Sequence, residues 1–143
     1  MGEVTVESLS GLRNEVRYGA GQTFTTDEPP EVGGEGAGPD PYTLLLAALG
    51  SCVSMTVTLY ARRKSWPVER VRVRLRINRE HGRDCAECAN KDAFIHRIER
   101  AVEIEGELSE EQHARLQEIA HKCPVHRTLS GEIVISDFKD ENV

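Results

Sequence analysis

Residues 40–64 read DPYTLLLAALGSCVSMTVTLYARRK, and this stretch dominates the fold prediction. Asp40 is a favourable N-cap and Pro41 is favoured at the first helical position, so a helix is expected to begin here. It should end near residue 64, because Trp66-Pro67 interrupts it. No charged residue occurs between Pro41 and Ala61. A helix that is apolar on nearly all sides is buried in a core or spans a membrane.

The sequence around this helix favours the core over the membrane. A length of about 30 Å would reach across a bilayer. However, hydroxyl side chains dilute the apolar run, and the remaining segments need a central helix for their sheets to cover. We therefore expect a soluble protein without membrane association. The hydroxyl residues are Thr43, Ser51, Ser54, Thr56 and Thr58.

Short strands separated by glycines are predicted before the helix. Apolar and β-branched residues recur in 4–9, 12–18 and 22–26, which is typical of an antiparallel meander. Residues 27–38 contain prolines and four glycines and are predicted to form a loop.

Two strands, a helix and a final strand are predicted after the long helix. Residues 70–78 alternate strictly between arginine or polar residues and apolar residues, which indicates a half-buried strand. A second strand over 94–105 should face inward through Phe94, Ile98, Val102 and Ile104, and its glutamates should pair with the arginines as a cross-strand charge ladder. The whole order predicts an α+β fold.

The second helix should open at the capping box Ser109–Gln112. Its apolar stripe runs to Cys123, and Pro124 is expected to stop it. Residues 132–138 are predicted to form the last strand.

The composition limits the possible classes of protein. With 143 residues the chain suits one domain, and its net charge of −6 argues against a dedicated nucleic-acid binder. Four cysteines are too few for a disulfide scaffold. The start of the sequence lacks a basic segment followed by an apolar run, so we expect the reducing cytoplasm. There, cysteines are more often catalytic, redox-active or metal-bound than structural crosslinks.

Cys52 and Cys123 are candidate reactive thiols, although each also fits a packed core position. Cys52 lies in the middle of the long helix beside the small residues Gly50 and Ser51. Cys123 is expected at the end of the second helix, where the negative end of the dipole disfavours a thiolate. If the two act together, Cys52 is the better nucleophile and Cys123 the better resolving thiol.

Cys85 and Cys88 form a Cys-x-x-Cys motif in a polar loop, with His81 nearby. These three residues are one ligand short of a structural zinc site. A zinc site, a redox pair and no special role all remain open, and the zinc reading is weak because no second pair of cysteines follows.

Five short motifs occur together in this sequence: Asp27-Glu28-Pro29, Gly33-Gly34, Gly38-Pro39-Asp40-Pro41-Tyr42, Leu46-Ala47-Ala48-Leu49-Gly50-Ser51-Cys52 and His121-Lys122-Cys123-Pro124-Val125. Together they resemble the OsmC/Ohr family of hydroperoxide-reducing proteins, over about residues 12–137. This resemblance implies a single OsmC-like domain, 1–143, that forms an intertwined homodimer. In this fold antiparallel sheets pack on a long central helix that bears the first cysteine.

The resemblance also implies thiol peroxidase chemistry without a cofactor, in defence against oxidative stress. Cys52 would be the peroxidatic cysteine and Cys123 the resolving one. An organic hydroperoxide would bind in an apolar pocket lined by Leu45, Leu49 and Met55. An external dithiol, which in the family can be a lipoylated protein, would reduce the resulting disulfide.

The chain departs from the family pattern at one position. The family arginine that holds the thiolate is best matched by Arg13, with Arg17 as a second candidate. The glutamate that usually pairs with it is missing, since Tyr42 and Thr43 occupy its place. Glu15 or Glu28 could replace it. The departure resembles the redox-protein branch of the superfamily and motivates an alternative function, which is redox sensing or small-ligand binding with little peroxidase turnover.

Overall fold

The computed structural model describes residues 2–138, and its contacts divide the chain into two units, residues 1–47 and 48–143. The first unit contains an antiparallel meander in the order β1-β2-β3. Val6 pairs with Val16, and Val16 pairs with Phe24. The meander predicted from the sequence is therefore confirmed. Its strands are β1 (Val4–Ser8), β2 (Asn14–Tyr18) and β3 (Gln22–Thr26).

The loop that follows β3 is organised around the buried carboxylate of Asp27. Its oxygens accept hydrogen bonds from the backbone N–H groups of Glu28, Glu35 and Ala37, at 2.8, 3.0 and 3.1 Å. Burial alone would raise the pKa of Asp27, but these donors lower it below its usual value. A side chain at Gly34 would collide with the carbonyl oxygen of Glu28, so the tight path of the loop requires glycine there.

The long helix α1 (Pro41–Lys64) begins and ends where the sequence predicts. Asp40 caps it by accepting the backbone N–H groups of Tyr42 and Thr43. By length and composition α1 could cross a membrane. One stripe of it instead forms the core of the second unit, together with Ile104, Leu116 and Cys123. The stripe consists of Leu49, Val53, Val57 and Ala61.

A long hairpin, β4 (Val68–His81) and β5 (Phe94–Gly106), supplies the sheet of the second unit. Val73 pairs with Val102, and the inward side chains pack on the α1 stripe. The opposite face carries the predicted charge ladder, which is confirmed. It joins Arg70 to Glu105 at 2.7 Å, Arg72 to Glu103 at 3.4 Å and Arg76 to Glu99 at 2.7 Å. These pairs are exposed, so they set the register more than the stability.

Phe94 does not face the core as predicted. It lies at the end of β5, exposed, where its ring contacts His81 and the guanidinium of Arg79. The inward positions begin further along the strand, at Ile98.

The second helix, α2 (Glu110–Ala120), has the predicted capping box between Ser109 and Gln112. The prediction that Pro124 ends this helix is wrong. A turn follows Ala120, and Pro124 occupies the first position of a further helix, α3 (Pro124–Ser130). Proline is favoured there because its missing N–H needs no partner at a helix start.

The strand predicted over 132–138 is absent from the described chain. These residues have no regular secondary structure, and they expose Val134 and Ile135 to solvent. A strand needs a neighbour to satisfy its backbone groups, and none of the described strands pairs with this segment.

Replacing Leu116, which is fully buried between α1 and β5 residues, should destabilise the protein. We expect Leu116→Ala to lower the free energy of unfolding by about 2–5 kcal/mol, because it removes apolar contacts and leaves a cavity. Urea unfolding would measure it, with Leu9→Ala as the control. Leu9 is half exposed, so a loss in the control as large as that in Leu116→Ala would contradict this account.

Candidate active site

Cys52 is placed by α1 at the edge of the core stripe. It lies one turn after Leu49, is half-buried and packs against the core cluster that contains Cys123. The neighbouring Gly50 leaves space for the hairpin, because a Cβ there would lie 2.8 Å from Leu75 Cδ1. The small residue that the sequence places beside Cys52 therefore lets β4 approach the helix closely.

Cys123 is completely buried and caps the start of α3. Its Sγ accepts the backbone N–H of His126 at 3.3 Å. Cys52 packs against the buried cluster to which Cys123 belongs, and both cysteines are free thiols. The fold thus brings together two cysteines that are far apart in the sequence.

Burial raises the pKa of the Cys123 thiol, and the neighbouring Cys52 raises it further, while the N–H of His126 opposes the shift. Cys123 therefore stays protonated at neutral pH. The predicted cause, the negative end of α2, is wrong, because Cys123 lies at the start of α3 and desolvation is the main reason that its thiolate is disfavoured.

A cavity of about 230 Å³ is lined by Leu49, which precedes Cys52 by one helical turn, and by His126, whose backbone N–H bonds Cys123 Sγ. Leu49, Ile98 and Leu129 give it apolar walls, and Arg100 and His126 give it polar groups. Burial lowers the pKa of His126, and the nearby charges of Arg100 and His121 lower it further, so His126 is neutral at neutral pH.

Arg100 is the functional candidate that sequence reasoning missed. Its Nη2 lies 2.7 Å from His121 Nδ1, while its buried Nη1 has no hydrogen-bond partner within residues 2–138. A buried unpaired N–H of a charged group is costly, so the atom is well suited to a ligand oxygen. Its position in the sequence could have indicated this role. Arg100 lies two residues from both Ile98 and Val102, so the alternation of a strand places it on the same inward face as these apolar residues.

The three predicted pocket residues differ in position. Leu49 is buried and lines the cavity. Leu45 belongs to the first unit and is half-buried, and Met55 is 64% exposed on α1. Leu45 and Met55 do not line this cavity, and a substrate-binding role for them stays a prediction.

Arg13 lies between β1 and β2 in the first unit. Its Nε is 3.8 Å from Glu35, and its Nη2 donates to Ser10 Oγ. The acid beside it is thus Glu35, not Glu15 or Glu28. Arg17, the second candidate, pairs instead with Glu15 and Glu7 on the meander.

The three weak candidate zinc ligands, His81, Cys85 and Cys88, have separate partners in the structure. Cys85 and Cys88 form a disulfide, and His81 Nδ1 accepts the backbone N–H of Arg83. Within residues 2–138, the ligand-type atoms that cluster within 4.8 Å belong to Glu80, Cys85 and Cys88. A disulfide offers no thiolate, so this state of the loop does not suit zinc.

Comparison with known proteins identifies the family. Residues 34–136 match the family described as OsmC-like protein. The chain therefore belongs to the OsmC-like family, as its motifs predicted. No curated protein sequence matches it.

Solved structures show the same fold. An organic hydroperoxide resistance protein OsmC from Legionella pneumophila is 20% identical with a TM-score of 0.66, covering 92% of this chain and 90% of that one. An OsmC-like protein from Mycoplasma pneumoniae is 20% identical with a TM-score of 0.66, covering 92% of this chain and 88% of that one. OhrB of Bacillus subtilis, an organic hydroperoxide resistance protein, is 16% identical with a TM-score of 0.62, covering 92% of this chain and 91% of that one. The predicted α+β OsmC-like fold is confirmed.

The contact between the two thiols should be measurable by alkylation with iodoacetamide. We expect Cys123 to react slowly at neutral pH, and the pH of half-maximal reactivity to lie above that of an ordinary cysteine. Cys52→Ala should lower that pH, because both contributions of Cys52 raise the pKa of Cys123.

Site-resolved mass spectrometry over a pH series would give the two reactivity profiles. Ser51→Ala, an exposed neighbour on α1, serves as the control and should leave the profile of Cys123 unchanged. An unchanged profile in Cys52→Ala would show that the thiols do not interact.

Proposed function

We propose that the protein reduces organic hydroperoxides with Cys52 and Cys123 and is regenerated by an external dithiol. The observation that carries this proposal is that two free thiols, Cys52 and Cys123, lie in one packed cluster within an OsmC-like fold.

The proposed reaction has three steps. The Cys52 thiolate attacks the distal oxygen of the hydroperoxide, the O–O bond breaks, and the organic product takes up a proton and leaves as an alcohol. Cys52 is now a sulfenic acid. The Cys123 sulfur attacks it, an S–S bond replaces the S–O bond, and water leaves. A dithiol then restores both thiols and becomes a disulfide itself.

The different exposure of the two cysteines supports this division of roles. Cys52 is half-buried and can meet a substrate, whereas Cys123 is fully buried. The accessible cysteine is therefore suited to attack the hydroperoxide first, and the buried one to attack the sulfenic acid that forms beside it.

The adjoining cavity supports an organic substrate. Its apolar walls suit a hydrocarbon group, and the unpaired Nη1 of Arg100 can donate to a peroxide oxygen. Arg13 remains a proposed partner of the Cys52 thiolate, contributed from either chain of a dimer. No step of this chemistry requires a metal or an organic cofactor.

We further propose that the chain acts as a homodimer in the cytoplasm, as a single OsmC-like domain. The outer face of α1 exposes Met55 and Leu59, and residues 132–138 expose Val134 and Ile135. Apolar surface on a long helix and on an extended segment favours burial against another chain. A second copy has the same surfaces, as a two-fold interface requires.

The alternative is a redox sensor or small-ligand binder with little turnover. The departure from the family pattern at Tyr42 and Thr43, where the usual glutamate is missing, motivates it. Arg13 pairs here with Glu35 from the loop instead. Both functions use the same cysteines and cavity, so they differ only in turnover.

A peroxidase assay separates the two functions. Reduced protein should consume tert-butyl or cumene hydroperoxide with dihydrolipoamide, and Cys52→Ser should lower the rate at least about a hundredfold, because a hydroxyl is a much weaker nucleophile than a thiolate. The double variant Cys85→Ser/Cys88→Ser is the control and should keep the activity. Negligible turnover in the wild type, with an apolar ligand co-purifying, would favour the alternative, and full activity in Cys52→Ser would disprove the mechanism.

The oligomeric state tests the dimer separately. Light scattering after gel filtration should give twice the mass of one chain at micromolar concentration. Leu59→Asp should weaken the dimer by placing a charge in a buried apolar contact, whereas Leu9→Asp, another half-exposed leucine, should leave it intact. A monomer in the wild type would contradict the proposal.

A further inference from the structure

The Cys85–Cys88 disulfide lies at the closed end of the β4–β5 hairpin, away from the residues assigned to peroxide reduction. The two Cα atoms are 5.4 Å apart. Gly82 N donates to Ala93 O at 2.8 Å and Cys85 N donates to Gly82 O, which fixes the backbone on both sides of the loop. A side chain at Gly82 would collide with the carbonyl oxygen of Asn90, so the two arms of the loop are closely packed.

The two sulfurs of this disulfide have different environments. Cys85 is only 1% exposed, whereas Cys88 is half-buried and open to solvent on one side. Thiol–disulfide exchange needs access for an attacking thiolate, and the sulfur that is not attacked must leave as a thiolate. Cys88 is therefore the sulfur that can be attacked, and Cys85 is the leaving group.

Arg97 is placed to stabilise that leaving group. Its Nη2 lies 3.1 Å from Cys85 Sγ, on the buried side of the disulfide. Hydrogen bonds from Arg97 to Glu87 and Glu80, at 3.0 and 2.6 Å, fix the guanidinium in this position. A guanidinium in contact with a sulfur favours the thiolate, and a leaving thiol with a lower pKa leaves faster.

The other charged groups around the loop leave this assignment intact. Glu80 and Glu87 partly offset the charge of Arg97, and they also raise the pKa of Arg97, so it remains protonated. Lys91 Nζ donates to the carbonyl oxygen of Cys85 and adds a second positive charge near the leaving group.

We propose that the Cys85–Cys88 disulfide is a second redox centre, which exchanges with external dithiols through Cys88 and releases Cys85 as a thiolate held by Arg97. The partner is a small or protein-bound dithiol. This activity is separate from peroxide reduction and uses neither Cys52 nor Cys123.

The exchange proceeds in two steps. One thiolate of the dithiol bonds to Cys88 Sγ, the Cys85–Cys88 bond breaks, and its electron pair stays on Cys85. The second thiol of the partner then attacks the partner's own sulfur in the mixed disulfide and releases Cys88. The partner becomes an oxidised disulfide, both cysteines are reduced, and the two protons of the dithiol are available to them.

A metal site is the competing interpretation of the same cluster, since a carboxylate oxygen of Glu80 and the two sulfurs lie within 4.8 Å of one another. The contacts of Arg97 disfavour it. The guanidinium donates hydrogen bonds to both Glu80 and Cys85 Sγ, and a divalent cation would have to displace this positive charge.

The first test identifies the attacked sulfur in a protein that keeps Arg97. In a Cys52→Ser/Cys123→Ser background, the oxidised protein is treated with glutathione, quenched with acid and analysed by peptide fragmentation. The mixed disulfide should form on Cys88. A mixed disulfide mainly on Cys85, or a disulfide that resists excess dithiothreitol in the folded protein, would overturn the proposal.

The second test measures the role of Arg97 in the same background. We expect Arg97→Gln to slow reduction by dithiothreitol roughly tenfold, because the leaving thiolate loses its positive partner. Arg97→Lys should recover part of the rate. Arg76→Gln is the matched control, because Arg76 also pairs with a glutamate on this hairpin and forms no hydrogen bond to a sulfur within residues 2–138.

Equal rates in Arg97→Gln and Arg76→Gln would overturn the role of Arg97. The reduced protein is also passed through gel filtration after incubation with zinc, and its metal content is measured. One zinc per chain that is lost in Glu80→Gln would identify a metal site and overturn the exchange proposal. Absence of retained zinc, with Cys88 as the attacked sulfur, supports it.

Discussion

The packing of the α1 stripe into the second unit is the contact on which the rest of the structure depends. Val53 and Val57 are fully buried on this stripe, and Ile104 from the hairpin and Leu116 from α2 pack in the same cluster. Burial of apolar side chains is the main favourable contribution to the free energy of folding, and a chain of this size is large enough for about one such core. Cys52 and Cys123 belong to this cluster, so the same burial that stabilises the unit also brings the two thiols together.

Burial also makes the two thiols chemically different. A thiolate inside an apolar core loses the solvation that water provides, and this loss keeps Cys123 protonated. Cys52, at the edge of the buried stripe of α1, is half-buried and keeps access to solvent. The cysteines of the β4–β5 loop also differ in exposure. Cys85 is buried beside Arg97, while Cys88 is accessible. In both pairs, one sulfur is buried and the other is partly exposed.

The predictions that succeeded rest on local chemistry or on strict periodicity. Asp40 and Pro41 start α1 because a cap and a proline act on adjacent backbone groups. The capping box at Ser109 and the alternation of β4 have the same local character. Pro124 misled the prediction because a proline after an apolar stripe fits both the end of one helix and the start of another. Only the turn after Ala120, set by how α2 packs, decides between them.

The sequence by itself determined the family, the long central helix and the two cysteines worth following, because motifs and periodicity are properties of neighbouring residues. The tertiary structure decided which groups meet. It packed Cys52 against the cluster that contains Cys123, and it closed Cys85 and Cys88 into a disulfide beside Arg97. It also left Nη1 of Arg100 without a hydrogen-bond partner among residues 2–138. It also showed that residues 132–138 find no partner strand among the described strands. Such contacts join residues distant in sequence, and they follow from how the core closes, which no local pattern encodes.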